Sequence, residues 1–158
     1  MKHAFLFLCL GATACARQAD PVPVPKPPAH AVGWRVDGQD VATGAYVSFS
    51  TTPGSTLTVY GRADATGGGG EVQLEVPAAV GTYTFGAGAP AWATYAAPGG
   101  LKYGAGAVPG ASGPTGPGSV VLTSVSGGVA VGTFTFTGIE PVSQAVKNVT
   151  NGTFRVPI

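Results

Sequence analysis

Residues 131–138 read VGTFTFTG, and the placement of their side chains decides the fold. Alternation puts Phe134 and Phe136 on one side and Thr133, Thr135 and Thr137 on the other, a half-buried strand. The central triplet recurs: Gly-Thr-aromatic stands at Gly81-Thr82-Tyr83, Gly132-Thr133-Phe134 and Gly152-Thr153-Phe154. Glycine there supplies a turn or bulge, β-branched threonine suits a strand, and the aromatic fills the core. Phe134, Phe136, Phe154 and Tyr83 are therefore expected inside. Strict alternation would leave Val129 and Val131 opposite the phenylalanines, so a bulge at Gly132 is predicted, switching register and bringing both pairs inward.

Outward from this stretch the same grammar holds. Trp34 to Val41 reads as a hairpin around Asp37-Gly38, with Trp34 and Val36 on one face. Tyr46 to Ser50 and Thr56 to Arg62 alternate, with Val47, Phe49, Leu57 and Val59 inward. In Glu71 to Val76 the inner face is aliphatic and the outer face acidic or amide, the mark of an antiparallel strand with one wet side. Gly67 to Gly70 makes the turn before it; with no helix following, it is no phosphate cradle. Further strands are expected at Thr82 to Phe85, Ser119 to Val125, Val129 to Thr137 and Val149 to Val156, with a weaker strand signal through Trp92 to Tyr95 and Leu101 to Tyr103. Low-complexity GAGAVPGASGPTGPGS (104–119) reads as a long mobile loop, and Pro141 to Asn148 as one or two helical turns. The pattern predicts an all-β domain, an antiparallel sandwich or flattened barrel of about eight to ten short strands.

Composition agrees. Charged residues are 9% of the 158, and Gly (26) and Pro (14) are abundant, against about 25% charged in an average domain. Eight basic and seven acidic residues nearly cancel, so no basic patch for nucleic acid is available.

The N-terminus MKHAFLFLCLGATACARQ has the layout of a secretory leader: Lys2, an apolar stretch from Ala4 to Leu10, then small residues. That stretch is too short to span a bilayer. Cys15, after Ala12-Thr13-Ala14, resembles the lipid-accepting cysteine of a bacterial lipobox; the alternative is plain cleavage after Ala14 or Ala16. Cys9 leaves with the leader, so no disulfide is expected. Pro21, Pro23, Pro25, Pro27 and Pro28 favour an extended tether. The expected organisation is a signal peptide over 1–14 with Cys15 as lipid site, a tether over 15–32, and one β-rich domain over 33–158. Such a protein sits in the cell envelope on the outer membrane; without the lipid it is secreted and soluble.

Three segments of the C-terminal half, Gly118 to Thr123, Gly132 to Thr137 and Val149 to Phe154, resemble a family of small lipoproteins from Bacteroidetes that carry a β-rich domain of unknown function. The Val36-Asp37-Gly38 hairpin and Gly81-Thr82-Tyr83 fit the same pattern. The resemblance implies a lipobox, a short linker and a β-domain closed by a Thr-Asn-Gly-x-Phe strand; it implies no catalytic residues. Ala12 departs from the usual lipobox leucine, the loop from Gly104 to Gly118 is unusually rich in Gly and Pro, and the residues after Cys15 lack an acidic export run.

Chemistry-bearing groups are scarce. His3 lies in the leader and His30 in the tether, which disfavours Ser-His-Asp and Cys-His catalysis and His/Cys zinc sites. Asp37, Asp40, Asp64, Glu71, Glu75 and Glu140 remain for a carboxylate-dependent hydrolase, but turn and wet-face positions read as solvated structure. No metal and no cofactor are expected. Trp92, Tyr95 and Tyr103 are the candidate ligand residues: flat rings beside a loop stack on sugars or on a partner's apolar surface. The competing reading is that they close the end of the core. The two sequons at Asn148 and Asn151 are incidental in a bacterial protein. The resulting expectation is a non-enzymatic, lipid-anchored envelope domain that binds a glycan or another envelope protein, with a carbohydrate-binding module and a hydrolase as alternatives.

Overall fold

The computed structural model describes residues 31–41, 49–51, 55–64 and 68–158. The leader, Cys15, the tether through His30, Tyr46, Val47 and Gly67 lie outside the described residues. Eleven strands follow in chain order: β1 (Ala31–Val36), β2 (Gln39–Val41), β3 (Phe49–Thr51), β4 (Thr56–Arg62), β5 (Glu71–Pro77), β6 (Gly81–Phe85), β7 (Trp92–Ala96), β8 (Lys102–Gly106), β9 (Gly118–Ser126), β10 (Val129–Ile139) and β11 (Val146–Pro157). β1 begins at Ala31, two residues ahead of the expected domain start. The strands pair antiparallel in one sheet, in the order β2-β1-β11-β10-β8-β7-β5-β4-β3, with β9 and β6 branching from β10. The sheet curls into a half-barrel. Among the described residues no helix is long and apolar enough to cross a membrane.

Local chemistry explains the elements. Asp37 and Gly38 have φ of 49° and 81°, the paired positive values of a type I′ turn, and β1 and β2 pair across it. On β4 and β5, Leu57, Val59, Val72, Leu74 and Val76 are fully buried, and burying each such side chain is worth about 1.5–3 kcal/mol. The curl closes where β1 crosses β4: a Cβ on Gly61 would stand 2.7 Å from Val32 Cβ, so the two strands can approach only over a glycine.

The repeated triplet has a tertiary explanation. β10 and β11 pair as Gly132↔Phe154, Thr133↔Thr153 and Phe134↔Gly152, so two copies face each other head to tail. Each ring lies over the partner copy's glycine. A Cβ on Gly152 would sit 2.5 Å from Phe134 Cδ2, and one on Gly132 would sit 2.8 Å from Phe154 Cε1. The aromatic covers the bare backbone that the glycine leaves, as in designed sheets where an aromatic rescues a cross-strand glycine. The rings run on as a row, Phe154 to Phe134 at 6.4 Å, Phe134 to Phe136 at 6.4 Å and Phe136 to Phe85 at 6.2 Å. Phe134, Phe136 and Phe154 are buried as expected. Tyr83 of the third copy is partly buried against the core, and its hydroxyl donates to Ala79 O at 2.7 Å.

The bulge expected at Gly132 is on other strands. β10 alternates without a break: Ala130, Gly132, Phe134, Phe136 and Gly138 face inward, and Val129 and Val131 stay on the half-buried opposite face. The irregularity opposite Val131 and Gly132 places the extra residue on β9, where Val131 pairs Ser124 and Gly132 pairs Leu122. Thr123 is the extra residue, and its hydroxyl donates to Val131 O at 3.0 Å. Inward parity on β9 thereby changes from Val120 and Leu122 to Val125. A second bulge lies in β11. Phe134 pairs Gly152 and Phe136 pairs Val149, while on the other side Gly33 pairs Thr153 and Arg35 pairs Thr150. Asn151, with φ of 51°, sits in this extra position, which asparagine tolerates better than other side chains. Val149 and Gly152 can then both face inward.

Two further expectations are corrected. Pro141 to Asn148 forms no helix: residues 141–143 make a turn, Gln144 has φ of 61°, and β11 starts at Val146. The low-complexity segment is also less loop than expected. Gly104 to Gly106 belongs to β8 and Gly118 to β9. The intervening chain is tied back by Gly106 N–H to Gly116 O and Gly116 N–H to Gly104 O, both 3.0 Å. Gly116 stands so close to the Thr137 carbonyl that no Cβ fits. This wedge splits β8 from β9 at the point where β10, paired with β9 as far as Phe136, goes on to meet β8 at Ile139.

Candidate functional site

The wedge builds a site. Past β8 the chain folds back over the outward face of β7, β8 and β10, seating Val108 and Thr115 against Gly104, where a Cβ would stand 3.1 Å from Val108 Cγ2. Between the returning segment and the sheet is a cleft of about 390 Å³, at the lower end of the roughly 300–1,000 Å³ common for small-molecule sites. Its walls are mostly apolar: Leu101, Val108, Pro109, Pro114, Ile139 and Pro141. Leu101, 57% exposed, and Val142, 88% exposed and next in chain to Pro141, leave apolar surface in water beside it.

Polar groups in the lining are few. Thr94 and Lys102 come from the outward faces of β7 and β8, where Thr94 pairs Gly104 and Ala96 pairs Lys102, making Thr94 and Lys102 diagonal neighbours. Thr115 comes from the returning segment. Glu140 is committed locally. Its Oε2 accepts from Ser143 N–H at 2.5 Å, Ser143 Oγ–H at 2.6 Å and Val142 N–H at 3.2 Å. The Ser143 hydroxyl and backbone bonds hold its carboxyl below the ordinary 4.5, because they favour the charged form.

Four other carboxylates are occupied as well. Asp37 accepts from Lys147 Nζ at 2.7 Å and Asn148 N–H at 3.0 Å, clipping the first hairpin to β11; these bonds lower its pKa. Asp40 pairs with Arg35 Nε at 2.6 Å, and Asp64 accepts from Gly68 N–H at 3.0 Å. On the wet face Glu71 is held by the Tyr60 hydroxyl and by Arg62 Nε at 3.1 Å, while Arg62 stacks over Tyr60. Desolvation pushes the Glu71 carboxyl up from 4.5, and Lys102 pulls it back. No group of three or more Asp, Glu, His or Cys able to hold a metal occurs among the described residues.

The three candidate ligand aromatics are not presented to solvent. Tyr95 and Tyr103 are cross-strand partners on the inward face, 4% and 5% exposed, with ring centroids 6.1 Å apart. Trp92 pairs with Glu75 and Gly106 on the outward parity, yet is only 9% exposed. A stacking platform needs an open ring face, and burial removes it; Tyr95 and Tyr103 close the core instead. Of the residues that meet in the cleft, Val108, Pro109, Pro114 and Thr115 fall in the run expected to be a long mobile loop, whereas Thr94 and Lys102 fall in expected strand segments. The signal available in the sequence was the set of prolines at Pro109, Pro114 and Pro141, apolar residues outside any alternating strand.

Residues 41–157 match the family described as Domain of unknown function (DUF6252), and the chain belongs to that family. No curated protein and no solved structure matches it.

Proposed function

We propose that this DUF6252 protein is a binding domain without catalytic activity, held at a bacterial envelope membrane by a lipid on Cys15 and an extended proline tether. The cleft over β7, β8 and β10 is its working part. One observation carries the choice of binding over catalysis: the acid in that cleft, Glu140, is pinned through Oε2 by three hydrogen bonds from its own turn. A general acid or base must instead be free to reach the proton it moves. The anchoring half rests on the leader, the small residues before Cys15 and the five closely spaced prolines that follow.

Mass spectrometry of the mature N-terminus, with detergent phase partitioning, tests the anchor. The expected product begins at Cys15, carries a diacylglyceryl thioether and enters the detergent phase, whereas Cys15→Ser stays uncleaved or aqueous. An N-terminus at Arg17, or an unmodified Cys15, refutes it. The envelope protein would then be secreted and soluble.

A further inference from the structure

We propose that the cleft over β7, β8 and β10 takes a small amphiphile with an acyl body and a single carboxylate head, the head held by Lys102. This deepens the binding reading above and rests on it.

The chemistry of the lining selects the ligand class. Proline, leucine, isoleucine and valine side chains surround about 390 Å³, and such walls favour an apolar body because its transfer from water is favourable in proportion to the area buried. Charge selects the head. Lys102 lines the cleft, is exposed, and makes no ion pair or hydrogen bond among the described residues. Glu71, whose carboxyl feels Lys102, is already held by Tyr60 and Arg62. The Glu140 carboxylate faces the donors of its own turn. Of the two charged groups in the lining, Lys102 is therefore the one without a hydrogen-bond or ion-pair partner among the described residues, while Glu140 keeps its negative charge within its own turn. Thr94 and Thr115 add hydroxyls that make no hydrogen bond among the described residues, giving a carboxylate two further donors beside the ammonium. Ammonium to carboxylate is a charge-assisted bond, roughly twice as strong as a neutral one. A polysaccharide would find no open ring face here. An alkylammonium would meet Lys102 as a like charge.

The full-length chain is titrated calorimetrically with decanoate, decan-1-ol and decyltrimethylammonium, which share a chain and differ in head group. Decanoate is expected to bind at least about tenfold more tightly than the alcohol, a difference of about 1.4 kcal/mol, and the cation weakest. Lys102→Gln should erase the preference for decanoate over the alcohol, and Lys102→Arg should keep it. Ala111→Leu, which narrows the cleft at an exposed loop residue, should weaken all three. Far-UV circular dichroism confirms that each variant keeps its strands. Equal affinity for the three probes, or a decanoate preference that survives Lys102→Gln, overturns the proposal and leaves the cleft as a site for neutral ligands. Failure of every probe to bind overturns both the proposal and the cleft's binding role.

Discussion

Gly152→Ala probes the packing on which this fold depends. The new methyl would stand 2.5 Å from both Cδ2 and Cε2 of Phe134, so ring or backbone must yield. The ring has little room: Phe134 is 4% exposed and lies between Phe136 and Phe154, each 6.4 Å away. Gly152 is fixed too, being the direct partner of Phe134 and the first residue past the β11 bulge. Overpacking a tight core costs about 1–3 kcal/mol, and this confinement places the cost at about 2–3. Replacing a strand glycine by alanine returns about 0.5–1 kcal/mol. The net loss is about 1–2.5 kcal/mol, a fall in Tm of about 4–10 °C at roughly 4 °C per kcal/mol for a domain of this size. Phe134→Leu alone should cost about 1–1.5 kcal/mol. In the double variant the leucine vacates the space that the methyl needs, so the costs should fall short of additive by at least about 1 kcal/mol. Urea unfolding followed by tryptophan fluorescence measures all four corners of the cycle. If Gly152→Ala matches the wild type in stability, or the cycle is additive, the ring-over-glycine account of the triplet fails.

The β11 bulge and the Glu140 turn give two other predictions. Asn151 holds φ of 51° in the bulge that both β1 and β10 flank, so Asn151→Gly should leave Tm nearly unchanged while Asn151→Val lowers stability by about 1–2 kcal/mol, read by thermal melts. Glu140 has a lowered carboxyl pKa in the folded state, from its Ser143 bonds first; its contribution is present above the ordinary 4.5 and is lost as pH falls through the lowered folded value. Glu140→Gln should flatten that part of the acid limb of Tm against pH, and an unchanged limb would show that the cap does not contribute.

What the sequence determined by itself was the type of each element and, on most strands, its inward face. Alternation is local, and the type I′ turn needs only Asp37 and Gly38; hence β1, β4, β5 and the Phe134, Phe136 and Phe154 core were legible before any contact was known. Where the parity changes was not legible. A bulge is a count of residues against a partner strand, so Thr123 and Asn151 become extra only when β9 and β11 are paired with β10. The burial of Tyr95 and Tyr103 likewise depends on their facing each other across β7 and β8. The cleft needed the longest reach. Reciprocal bonds between Gly116 and Gly104 to Gly106 turn a low-complexity run into a wall, and no local pattern of Gly and Pro encodes which backbone it will meet. Close approach of two glycine backbones decides the site, and only the assembled sheet brings them together.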